Sequence, residues 1–102
     1  MKEKRNFYIR LGNGCKEPVE GIYEYECFTA RNGRQRFIFH KLPYLGCYAI
    51  SDSHTGTSVI RGLNKMSKNN FIRICDFILR VTDVKKHQEE FPRVSKLKLD
   101  EE

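Results

Sequence analysis

No apolar run in this 102-residue chain approaches the roughly 20 residues that a membrane-spanning helix needs. That absence argues against a helical membrane protein. The first residues, Met1-Lys2-Glu3-Lys4-Arg5, lead directly into a strand-like segment and not into the apolar region of a signal peptide. The expected location is therefore the cytoplasm. Four cysteines are present, Cys15, Cys27, Cys47 and Cys75, with no Cys-x-x-Cys pair among them. Without a secretory signal their even number does not imply a disulfide framework, and they are expected to be reduced thiols that pack as small hydrophobes.

Catalytic and metal signatures are also missing. His40, His54 and His87 form no His-x-x-x-His or His-Glu pair, and no Cys-His spacing suits zinc. Gly12-Asn13-Gly14 is followed by no helix, so it does not read as a phosphate-cradling loop. Two constellations can be written down, Cys47 with His54 as a nucleophile and base, and Glu24 with Glu26 as paired carboxylates. Glutamates alternating along a strand normally form a solvated face. The expectation is a protein that is no enzyme, with no cofactor and no metal.

What the chain has is positive charge in one place. The formal net charge is +6. Residues 1–30 carry five basic and five acidic side chains, and residues 76–102 carry six and seven. Residues 31–75 hold Arg31, Arg34, Arg36, Lys41, Arg61, Lys65, Lys68 and Arg73 against Asp52 alone. A stretch of this kind attracts polyanions or acidic proteins if it folds onto one surface.

Period-two alternation marks the first half as strands. Phe7, Ile9 and Leu11 share a face of the first. In the second, from Val19 to Phe28, Tyr23, Tyr25 and Cys27 face one way and Glu24 and Glu26 the other. Arg31-Asn32-Gly33-Arg34 supplies a hairpin turn. The third strand, from Gln35 to Leu42, turns Phe37 and Phe39 inward and Arg36, Ile38 and His40 outward, and Pro43 ends it. A fourth runs from Cys47 to Ser51, Ser53-His54-Thr55-Gly56 turns, Thr57 to Arg61 forms the fifth, and Gly62 closes the sheet.

From Asn70 to Val84 the period changes. Phe71, Ile74, Cys75, Ile78 and Leu79 lie on one face of a helix, with Asn64 or Ser67 as its cap and Asp76 and Arg80 as an i,i+4 pair. Ile72, Phe77 and Val81 widen the apolar arc to about 220° at 100° per residue. Either the C-terminal tail covers the excess or a second subunit does, so a homodimer through this face is one expectation. Residues 85–102 form a polar tail that Phe91-Pro92 anchors, with Val94 to Leu99 as an added edge strand or disorder at its end. The fold class is α+β: a single domain over residues 1–84, with an antiparallel meander of four to five strands and one long C-terminal helix packed on one face.

Within that frame Arg31, Arg34, Arg36, His40, Lys41, Arg61, Lys65 and Lys68 are the candidate partner-binding residues. Guanidinium groups spaced along a strand can follow phosphates or grip carboxylates, and Lys65 and Lys68 approach a helix N-terminus. Tyr8, Tyr44 and Tyr48 are candidates for stacking on bases, with core packing as the alternative. No base-reading motif is present, so any nucleic acid is expected to be held by backbone charge and shape.

The segment Gly46-Cys47-Tyr48-Ala49-Ile50-Ser51-Asp52-Ser53-His54-Thr55-Gly56-Thr57-Ser58-Val59-Ile60-Arg61-Gly62 leads into the helix and follows an aromatic-rich hairpin. This arrangement is similar to small proteins encoded by phages and mobile elements of Gram-positive bacteria, and the likeness extends over residues 5–84. It implies an accessory or anti-defence factor, including anti-CRISPR inhibitors that bind an effector nuclease or its guide RNA, in the host cytosol. It implies no catalytic residues. Many such inhibitors are acidic mimics of DNA, whereas this chain is basic and would have to meet RNA, DNA or an acidic protein surface. The alternatives are a small module that binds the phosphate backbone without sequence specificity, or a homodimeric structural protein.

Overall fold

The computed structural model describes residues 6–42 and 45–99. Five strands, β1 (Asn6–Arg10), β2 (Lys16–Thr29), β3 (Gly33–Lys41), β4 (Tyr48–Asp52) and β5 (Ser58–Leu63), form one antiparallel sheet in the order β1-β2-β3-β4-β5. Two helices follow, α1 (Lys68–Val81) and α2 (Val84–Gln88), then a single 3-10 turn at Val94–Lys96. The α+β meander is as the alternation implies. Pro43 and Tyr44 lie outside the described residues, as do Met1 to Arg5 and residues 100–102.

The helix is shorter than its apolar period suggests and is not single. Ser67 caps it, its hydroxyl accepting the Asn70 N–H at 3.2 Å, a contact typically worth about 1 kcal/mol. At the other end Thr82 turns extended, and Asp83 starts α2 by accepting the Lys86 N–H at 3.0 Å. The chain thus breaks at 82–83, inside the apolar pattern. Asp76 also has a different partner from the expected Arg80: it accepts the Tyr25 hydroxyl at 2.9 Å, tying α1 to β2.

The side of the sheet under α1 carries the main core. Phe37, Phe39 and Ile50 from the sheet meet Phe71, Cys75, Ile78 and Leu79 from α1 and Val84 from α2. Phe39 is central, stacked between Tyr23 at 5.7 Å and Tyr48 at 5.2 Å, with Phe71 tilted above it at 5.9 Å. Burying each such side chain stabilises the fold by about 1.5–3 kcal/mol. Tyr48 is thus packed, not free for stacking on a base.

The opposite side is buried as well, over half its length. In a flat sheet β1 would lie three strand spacings from β4, about 14 Å. Instead the Arg10 N–H donates to the Gly56 carbonyl in the β4–β5 turn at 2.9 Å. The sheet must therefore curl, and it does so where the β2–β3 register shifts between Gly21 and Tyr23. A Cβ on Gly21 would stand 2.6 Å from the Phe7 ring and 3.2 Å from Ile38. The bend brings the β1 arm over β3, and Ile9, Val19, Ile38 and Leu42 are buried in a second core.

The C-terminal segment is laid along this closure. Val94 is buried, and its N–H donates to the His54 carbonyl at 3.0 Å. The Arg10 guanidinium donates to the Pro92 carbonyl at 2.7 Å and sits 5.0 Å over the Phe91 ring. The expected edge strand at 94–99 is reduced to the 3-10 turn and one parallel bridge, Lys16 to Leu99. Gly62, expected to close the sheet, lies inside β5 at a positive φ of 72°. No helix among the described residues is long and apolar enough to cross a membrane.

Candidate functional site

The structure separates the eight candidate residues. Arg34 and Arg36 share the outer face at the start of β3. Arg31 goes the other way: its guanidinium donates to the Arg80 carbonyl at 3.2 Å, at the end of α1. Lys41 is at the far end of β3, about 23 Å from Arg34 at 3.3 Å per residue. Lys41, Tyr48 and Leu63 are in register across three strands, so Lys65 and Lys68, just beyond β5, belong to that far end. Arg61 on β5 donates to the Ser58 hydroxyl at 2.8 Å. Lys41 borders a small hollow of about 530 Å³ with Pro18, Ile22 and Tyr48.

His40 is not available to a partner. It shares the outward parity of Arg34 and Arg36, but the β1 arm covers this half of β3, and the side chain is 0% exposed. One ring nitrogen meets the Lys41 carbonyl at 3.1 Å and the other the Ser51 hydroxyl at 2.7 Å. The carbonyl can only accept, so Nδ1 carries the proton and Nε2 accepts from Ser51. Burial, partly opposed by the Lys41 carbonyl, holds the imidazole pKa below its ordinary 6.5. Ile38, also expected outward, is buried for the same reason.

A concavity of about 780 Å³ opens beside the first residues of β3. Its origin is a difference in strand length. β4 ends at Asp52, opposite Phe37, so residues 33–36 of β3 have no strand neighbour on that side. The turn after β4, α2 and the Val94 segment border the space. Arg34, Arg36, His54, Lys85 and Arg93 line it, together with Glu26 and Glu89. Arg36 lies 3.6 Å from Glu26 and 3.9 Å from Glu24, and Arg34 lies 4.0 Å from Glu26. Lys85 and Arg93 have no carboxylate within 4 Å among the described residues.

The groove wall is built from a buried polar network. The amides of Gln35 and Gln88 bond to each other at 2.8 and 3.3 Å. Gln35 also donates to the Asn32 carbonyl at 2.7 Å, and Gln88 to the Asp52 carboxylate at 2.8 Å. That carboxylate, itself buried, further accepts the His54 N–H and the Thr55 hydroxyl, both at 3.0 Å. The lone acid of the basic stretch is thus spent on holding α2 and the turn in place.

No family model, curated protein or solved structure matches this chain.

Lys85 and Arg93 escape a sequence reading because the segment that holds them is net negative. The usable signal was Asp83 as a cap, which places Lys85 and Gln88 three apart on a short helix, on one face. Of the other constellations, Cys47 precedes β4 and His54 follows it, which separates them by about 20 Å of strand. Glu24 and Glu26 share a face as expected, occupied with Arg34 and Arg36. Tyr8 is engaged by Lys16, whose ammonium lies 4.5 Å over its ring, and Tyr44 is outside the described residues. All four cysteines are free, Cys75 buried and the others half-buried. Among the described residues no three His, Cys, Asp or Glu side chains are grouped to hold a metal ion.

Proposed function

We propose that this chain is a non-enzymatic binding protein that engages an anionic partner, a nucleoprotein, a nucleic acid or an acidic protein surface, in the groove beside β3. The observation that carries the reading is the position of Lys85 and Arg93. These two cations, with no carboxylate within 4 Å among the described residues, line the same groove as Arg34 and Arg36. The glutamates beside those arginines weaken the attraction without cancelling it. Exposed ion pairs are worth at most about 1 kcal/mol, and a phosphate can replace a carboxylate at a guanidinium.

Within this reading the likeness to phage and mobile-element proteins supplies a biological class, an anti-CRISPR type inhibitor of an effector nuclease or its guide RNA. A compact domain whose positive charge lines a concavity suits that role.

The double variant Lys85→Glu/Arg93→Glu tests the groove. It is expected to lower affinity for heparin by at least tenfold while the circular dichroism spectrum is retained. Wild-type affinity should also fall steeply with salt, as counterion release requires. Unchanged affinity in the variant removes the groove as the site. For the narrower role, loss of target-DNA cleavage by a guide-loaded effector nuclease in the presence of the chain is the expected result.

A second reading, the homodimer, draws on Phe77 and Val81, which are 56% and 54% exposed because the tail packs on the β1 side and leaves them uncovered. Ile72 is half-buried and points to the other flank of α1. Sedimentation as a monomer at micromolar concentration would remove that reading.

A further inference from the structure

We infer that the anion bound at this groove is single-stranded nucleic acid, with a base stacked on Phe28; this rests on the groove being a binding site. Phe28 is 71% exposed, the most exposed large apolar side chain among the described residues. It lies on the outer face of β2, directly opposite Arg34, and the next same-face pair along the hairpin is Glu26 with Arg36. The ring therefore stands one strand away from the groove, beside Arg34, which lines it.

The two cores leave Phe28 unused. Tyr23, Tyr25 and Cys27, on the other face of β2, pack against the α1 core, and the β1 arm pairs with β2 only as far as Glu20. Phe28 is outside the α1 core and leaves most of its ring in solvent. Beside Arg34 and Arg36, whose guanidiniums are shared with Glu26 and Glu24, it has the parts of a single-strand platform, in which cations track the backbone and an aromatic face takes an unstacked base. A duplex offers phosphates to the same cations but keeps its bases stacked inside. Single strands are thus preferred for a reason that charge alone does not provide.

The probes are a fluorescein-labelled short oligouridylate, a labelled RNA duplex of equal length, and heparin, read by anisotropy and by competition. The wild type is expected to bind the single strand about tenfold more tightly than the duplex. Phe28→Ala should lose most of that preference, about tenfold on the single strand, with heparin affinity unchanged, and Phe28→Tyr should retain it. The exposed position makes both variants compatible with folding, which circular dichroism checks. Equal affinity for single strand and duplex, or full single-strand affinity in Phe28→Ala, overturns the inference while heparin binding leaves the groove reading standing. If none of the three polyanions binds, both fall.

Discussion

The side-chain oxygen of Asn32 accepts the backbone N–H of Val84 at 2.9 Å, which fixes the start of α2 to the β2–β3 hairpin. The same side chain accepts the Lys85 N–H at 3.3 Å and donates to the carbonyls of Leu79 and Thr82 at 2.9 and 3.2 Å. One buried amide thus joins the end of α1, the start of α2 and the hairpin loop. This junction lets the chain turn at 82–83 without leaving buried peptide groups unpaired, and it carries Lys85 to the groove.

Asn32→Ala removes all four bonds and leaves buried donors and acceptors without partners. Each such group costs about 1–3 kcal/mol, and partial relaxation brings the expected total to about 3 kcal/mol. Urea unfolding would show it as a lower midpoint at unchanged slope. A loss below about 1 kcal/mol would mean that the junction holds without Asn32.

His40 gives the fold an acid-sensitive element. Its folded pKa is depressed by burial, so below the ordinary value of 6.5 the unfolded chain takes up a proton that the folded chain refuses. Stability is then complete above that pH and falls as pH drops, by at most about 1.4 kcal/mol per pH unit for one proton. His40→Gln, which keeps polar contacts but does not titrate, should flatten the slope between pH 7 and pH 5. The slope is assigned to His40 by the difference between the two proteins. Parallel curves would show that His40 is protonated freely in the fold.

Much of the architecture can be read from alternation and helical spacing, because those periods report which side chains share a face. Phe37 with Phe39, and Phe71 with Cys75, Ile78 and Leu79, are core residues as their spacing implies, and Ser67 caps α1. A period cannot report what lies over a face. Ile38 and His40 have the parity of Arg36, yet the register shift after Gly21, where a Cβ would collide with Phe7, lets the β1 arm lie over them. Charge counting fails in the same way. It groups cations by sequence distance, so Arg31 and Lys68 stood with Arg34, while Arg93 was hidden among acids. Asn32 had the composition of a turn residue, and its bonds run to partners some 50 positions away.

The cysteines differ enough in burial to be counted chemically. Cys75 is fully buried on the inner face of α1, and its thiol is pushed up to about 12, chiefly by burial. The thiolate is the reactive form, so Cys75 should resist iodoacetamide at pH 8 in the folded protein. Cys15, Cys27 and Cys47 are half-buried and should react first. Mass spectrometry is expected to show three modifications before a fourth, with Cys75 labelled only on unfolding. Early labelling of Cys75 would mean that α1 opens readily from the sheet.

Gly56 tests the closure on which the second core and the groove's lower border both depend. It sits at a φ of 76°, and a Cβ there would lie 2.8 Å from the Arg10 backbone nitrogen and 2.8 Å from Val94. The left-handed conformation alone costs an alanine about 1–2 kcal/mol, and the nitrogen belongs to the strand whose N–H bonds the Gly56 carbonyl. Ala at this position must push β1 and the Val94 segment away together, so Gly56→Ala should destabilise by about 3 kcal/mol. Gly12 is the control: a Cβ there meets nothing within 4 Å, and Gly12→Ala should change stability by no more than about 0.5 kcal/mol. Because His40 is sheltered by the same arm, Gly56→Ala should also weaken the pH dependence assigned to that histidine. Loss of stability with the pH slope intact would separate the turn from the cover over β3.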